Sequence, residues 1–152
     1  MCKQNQKFFN EHYGNYYFNL LNNELLKIEK IIKEINGTNN ESNFSKLSSQ
    51  LENLQLSVHN IDKSGRNFIT ERTNLQNNTT ELCNKAQKVV DHLKTQHKDK
   101  ESQDLQMDIS FMYSYLFRII NATDDISLQR VKVLVDELSI KINEKIQSAN
   151  VI

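Results

Sequence analysis

The chain has no proline and only three glycines, Gly14, Gly37 and Gly65, in 152 residues. Proline removes a backbone donor and clashes with the preceding turn, and glycine weakens helices by its unfolded freedom. A chain short of both is expected to be nearly all helix. It has no tryptophan and only two cysteines, Cys2 and Cys83, which leaves no disulfide framework. It has no excess of either charge, with 19 basic and 19 acidic residues. That balance removes the long-range attraction that draws a protein to nucleic acid or to an anionic membrane. It has no long apolar run either. The longest apolar-rich stretch, 109–120, is too short to span a bilayer and contains Arg118.

The first residues lack the apolar segment of a secretory signal, so the expected setting is intracellular, cytoplasmic and reducing. The Met1-Cys2 start also fits a lipid-anchored surface protein made without its signal, and that location is kept as an alternative.

What the chain does have is periodicity. Leu47, Leu51, Leu54, Val58, Ile61, Phe68, Leu75, Leu82, Ala86, Val89 and Leu93 follow one 4-3-4-3 register. This spacing lays a single stripe of side chains along one side of a helix, ready to pack against other helices. The register predicts one helix, B, from about 43 to 96, roughly 70 Å long at 1.5 Å per residue. Two stretches have turn or capping composition, 62–65 and 78–81, but the register crosses both without a slip. Continuity is therefore expected, with a kink near Gly65 as the one place of weakness.

Helix A is predicted from about 4 to 36, on the seam Leu21, Leu25, Ile28, Ile32 and Ile35, and is closed by Asn36-Gly37. Helix C is predicted from about 102 to 148. Its seam, Leu105, Ile109, Met112, Leu116 and Ile119, changes phase to Val131, Val135, Leu138, Ile142 and Ile146 across Asn121–Asp125. A kink or short break is expected there, because Asp and Thr suit a helix restart. The fold class that follows is all-α, a single domain over 1–152 built as an elongated bundle of about three long helices. Only 38% of residues are hydrophobic and mean hydropathy is −0.64, as narrow seams with broad wet faces require.

No pattern of catalytic, cofactor or metal chemistry emerges. The four histidines, His12, His59, His92 and His97, form no Glu-x-x-His pair of the kind that holds metals in bundles. Cys83 has no histidine within two turns, and the isolated glycines make no phosphate loop. The chain is read as no enzyme, with no cofactor and no metal.

Two features carry the functional reading. Gly65, Arg72 and Thr79 sit one heptad apart in the seam of helix B and weaken three successive layers. They form a candidate specificity layer. Arg72 either snorkels to the surface or pairs with an acid on a partner helix. The second feature is a pair of aromatic groups, 8–18 and 111–117. Apolar residues on several faces of one helix imply burial on several faces, so the two groups are expected to meet as a thick aromatic core. Read instead as exposed, Phe8, Phe9, Tyr16, Phe111 and Tyr115 are the candidate docking aromatics.

The expected function is a structural or assembly subunit working by coiled-coil contacts with helices of itself or of other proteins. The first alternative is a nucleic-acid-binding subunit of a ribonucleoprotein, using Lys94, Lys98, Lys100, Arg118, Arg130 and Lys132. The neutral net charge argues against it. The second is the lipid-anchored surface bundle.

Overall fold

The structure, a computed structural model, describes residues 14–37 and 41–150. Four helices account for almost all of them: α1 (Gly14–Asn36), α2 (Glu41–Thr95), α3 (Asp99–Ile120) and α4 (Asp125–Asn150). No strand occurs among the described residues, and the fold class is all-α. By its contacts the chain, expected to be one domain, gathers into two compact units, 1–69 and 70–152.

Helix α2 is continuous for 55 residues, through both Gly65 and Thr79. The unslipped register is the reason. Every layer from Leu47 to Leu93 keeps facing one side, so a turn would take apolar residues out of their packing. The predicted helix C, by contrast, is two helices. α3 ends at Ile120 and α4 begins at Asp125, and the two pack against each other. The phase shift across 121–125 thus marks a reversal of direction rather than a kink. Local chemistry fixes it. The Asn121 side chain donates to the Phe117 carbonyl (2.8 Å), closing α3. Asp124 then caps α4. Its Oδ1 accepts the Ser127 N–H at 2.7 Å, and Ser127 Oγ donates back to the Asp124 carbonyl at 3.0 Å. These bonds hold the Asp124 carboxyl below the usual carboxylate range, the backbone N–H of Ser127 contributing most, then its hydroxyl, then the charge of Arg130.

The end of α2 is a Schellman turn. Lys98 N–H bonds the Leu93 carbonyl (3.0 Å), and His97 N–H bonds that of Lys94 (3.1 Å). The residue at the left-handed position is His97, with φ 57°, where glycine is usual. Gly37, expected to stop α1 in that conformation, does not adopt it; its N–H simply continues to the Lys33 carbonyl.

Unit 2 is a three-helix core. Cys83, Ala86, Val90 and Leu93 of α2 are buried, with Leu105, Ile109, Met112 and Ile119 of α3. From α4 come Leu128, Val131, Val135, Leu138, Ile142 and Ile146. The stripe on α2 is wider than the sequence register implied. Cys83 and Val90 are fully buried, while the seam residues Leu82 and Val89 beside them are half-buried. A helix with two neighbours must cover a broader arc than a coiled-coil seam. Burial in apolar surroundings pushes the Cys83 thiol up, which makes it inert.

Unit 1 pairs α1 with the first part of α2. Tyr17 and Phe68 are buried with their rings 5.4 Å apart. Glu34 and Leu47 line one groove, and Lys27 and Leu54 another, so the helices run antiparallel.

Candidate interaction surfaces

The two units treat the same seam differently. Along 79–93 α2 buries four apolar side chains, Ala86 and Leu93 of the seam with Cys83 and Val90 beside it. Along 47–61 the seam residues Leu47, Leu51, Leu54, Val58 and Ile61 are all half-buried. On α1, Leu25, Ile28, Ile31 and Ile35 are also half-buried, and Ile32, placed in the seam by the sequence, is 42% exposed. Two helices bury only the strip between them. Among the described residues of unit 1, neither helix of the hairpin has a second neighbour.

The flanks are unequal. At 3.6 residues per turn, Leu25 and Ile32 lie about 40–60° to one side of Ile28, while Lys27 and Glu34 lie about 100–120° to the other. On α2, Leu51, Val58 and Phe44 lie about 40–80° to one side of Leu54, and Gln50 and Asn53 about 40–100° to the other. In an antiparallel pair the same rotational sense leads to the same side. The structure accordingly shows on that side a groove lined by Lys27, Lys30, Glu34, Gln50 and Asn53, with Ile31 and Leu54 between them. The opposite flank carries Leu25, Ile32, Leu51, Val58 and Phe44, the last 51% exposed.

The candidate specificity layer is divided. Gly65, buried, falls in unit 1, and Arg72 and Thr79 fall in unit 2. Arg72 is half-buried and donates from Nη1 to the backbone carbonyl of Ala122, 2.9 Å away in the α3–α4 turn. The guanidinium thus sits at the carbonyl end of α3, where a cation is favoured. Partial burial lowers its pKa below the ordinary value. This bond lies within the chain, and the seam pattern did not indicate it. Thr79 is 2% exposed, and its hydroxyl has no hydrogen-bond partner among the described residues.

Sequence reasoning missed one further polar contact. Asp108 is buried on the core face of α3 and forms an ion pair with the half-buried Lys145 of α4. The signal was there: Asp108 lies between the seam residues Leu105 and Ile109, inside the apolar arc.

The chain matches no protein family, no curated protein and no solved structure. Its surfaces must therefore be read on their own chemistry.

The described aromatics of the two clusters differ in burial, and Tyr17 is buried beside Phe68. Tyr16, Phe111, Tyr113 and Phe117 are 46%, 53%, 50% and 69% exposed, and Tyr115 is half-buried. The cause is the wheel. The core face of α3 is set by Leu105, Ile109, Met112 and Ile119, and Phe111, Tyr113, Tyr115 and Phe117 fall on its two flanks. Phe8 and Phe9 lie outside the described residues. The six basic candidates do not form one patch either. Lys98 lines a cleft at the start of α3 with Glu101, Asp104 and Glu144, whereas Arg118 and Arg130 line a groove at its far end. Twenty residues of helix separate the two groups by about 30 Å. Among the described residues no group of three or more His, Cys, Asp or Glu could hold a metal, and no helix is long and apolar enough to cross a membrane.

Proposed function

We propose that this chain is a non-enzymatic assembly subunit that works by helix–helix packing, with the α1–α2 hairpin of unit 1 as its docking element. One observation carries the reading: α2 buries four apolar side chains along 79–93 and none along 47–61. Apolar stripes of that length favour coverage by further helices, because each fully buried Leu or Ile side chain is worth about 1.5–3 kcal/mol over an exposed one. The outward aromatics of α3 offer a second contact area of the same kind.

The test is affinity capture from the cells that make the protein, comparing the natural chain with Ile32→Glu. The reading expects a stoichiometric protein, either a second copy or another chain, retained by the first and lost with the second. Retention of nothing by either, or of the same proteins by both, would count against it. The split basic groups lend no support to the nucleic-acid alternative, for which a salt-dependent mobility shift remains the direct assay.

A further inference from the structure

We infer that the occupant of the apolar flank of unit 1 is a second copy of the same hairpin, the two closing into an antiparallel four-helix bundle about a two-fold axis. The inference rests on the assembly reading above and names its partner.

Three observations favour a second copy. The first is sidedness. Leu25 and Ile32 from α1 with Phe44, Leu51 and Val58 from α2 make one flank of the hairpin apolar, while on the other Ile31 and Leu54 are set among Lys27, Lys30, Glu34, Gln50 and Asn53. A single self-complementary flank gives an isologous contact that closes at two copies; two such flanks would give an open array. The second is charge. α1 carries Glu24, Glu29 and Glu34 against Lys27, Lys30 and Lys33, so 3 − 3 = 0. Residues 41–69 carry Glu41, Glu52 and Asp62 against Lys46, Lys63 and Arg66, again 3 − 3 = 0. Two copies of a neutral hairpin with interspersed signs do not repel, and no partner of a single sign is favoured over a copy.

The third is size. α1 has 23 residues. At 1.5 Å per residue, and with two helices side by side about 18–20 Å wide, the flank offers a footprint of about 650 Å². A standard stable interface needs about 800 Å² from each partner, so a second hairpin of equal length nearly fills it. A four-helix bundle also gives each helix the two neighbours that its broad apolar arc calls for, as the helices of unit 2 already have.

The experiment is sedimentation equilibrium of the full chain over about 1 to 100 μM. The expected result is a monomer–dimer equilibrium. Ile32→Glu, at a side chain already 42% exposed, should raise the dissociation constant by at least about tenfold without loss of helical circular dichroism. Lys30→Glu, on the polar side, should leave it unchanged within about twofold. A chain that stays monomeric to the top of the range overturns the inference. So does a dimer that Ile32→Glu leaves intact, or growth beyond two copies. A monomer that still captures another protein through Ile32 overturns the second copy and leaves the assembly reading standing. A monomer that captures nothing overturns both.

Discussion

Replacing Arg72 by leucine is the sharpest test of how unit 2 is held. On the seam alone, leucine looks like an improvement, since it completes an apolar layer and removes a partly desolvated charge. The structure reverses that expectation. The Arg72 guanidinium donates at 2.9 Å to the carbonyl of Ala122, a residue only 3% exposed in the turn that joins α3 to α4. Leucine would leave that carbonyl without this donor. A hydrogen bond to a charged group contributes about 1.5–3 kcal/mol, part of which the added apolar packing offsets, so the net loss is about 1–2 kcal/mol. Unit 2 has 83 residues, 70 to 152. For a unit of this size the loss corresponds to a melting temperature lower by roughly 5–15 °C. Arg72→Lys keeps the charge on a shorter, single-point donor and should recover part of the difference.

The assay needs a probe confined to unit 2. Cys83 supplies one, being fully buried and inert in the folded state. In a Cys2→Ser background, the rate at which Cys83 reacts with a thiol reagent reports the opening of unit 2. Arg72→Leu should speed that reaction by about five- to thirtyfold, matching its loss of stability. A raised melting temperature together with slower labelling would refute the tether and restore the view of Arg72 as a polar layer kept for partner choice.

Three further outcomes follow from the same geometry. Thr79→Val should raise stability by about 1 kcal/mol in urea titrations, since it removes a buried hydroxyl that has no partner among the described residues. Asp124→Ala should cost about 1 kcal/mol at neutral pH, the usual worth of an N-cap. Because the folded carboxyl titrates below its unfolded value of about 3.9, that contribution is fully present above the unfolded value and is lost as pH falls through the folded one; the two proteins should then converge in urea titrations at acid pH. His97→Gly should add about 1 kcal/mol, read by calorimetry, because it relieves a side chain held at φ 57°.

Much of this architecture was legible from spacing. The 4-3 register fixed α2 as one helix through Gly65, because phase on both sides of a glycine is stronger information than the glycine itself. The same logic found the phase shift at 121–125 but not its meaning: a shift is compatible with a kink or a reversal, and only the Asp124–Ser127 cap and the packing of α3 on α4 decide between them. The turn after α2 carried no glycine signal, since His97 takes the place where one is usual. Burial was legible where a helix has one neighbour and blurred where it has two, so Cys83 and Val90 went unassigned beside Leu82 and Val89. For the aromatics of α3, position on the wheel decides burial. Their number suggested a core, but their positions on α3 lie off the face that Ile109 and Met112 define. The apolar flank of unit 1 needed the pairing of α1 with α2, which composition does not contain.

Hydrogen exchange of the full chain, measured first below 1 μM and then in the tens of micromolar, tests the central claim most directly, at concentrations set by the strength of ordinary interfaces. With the hairpin stripe half-buried and the core of unit 2 buried, amides in 21–35 and 47–61 should exchange at least about tenfold faster than those in 83–93, 105–119 and 128–146 when dilute. They should then gain protection as the second copy occupies the flank, with no change in unit 2. Equal protection of the two units at high dilution would contradict the account, because the hairpin would then need no further helix to cover it.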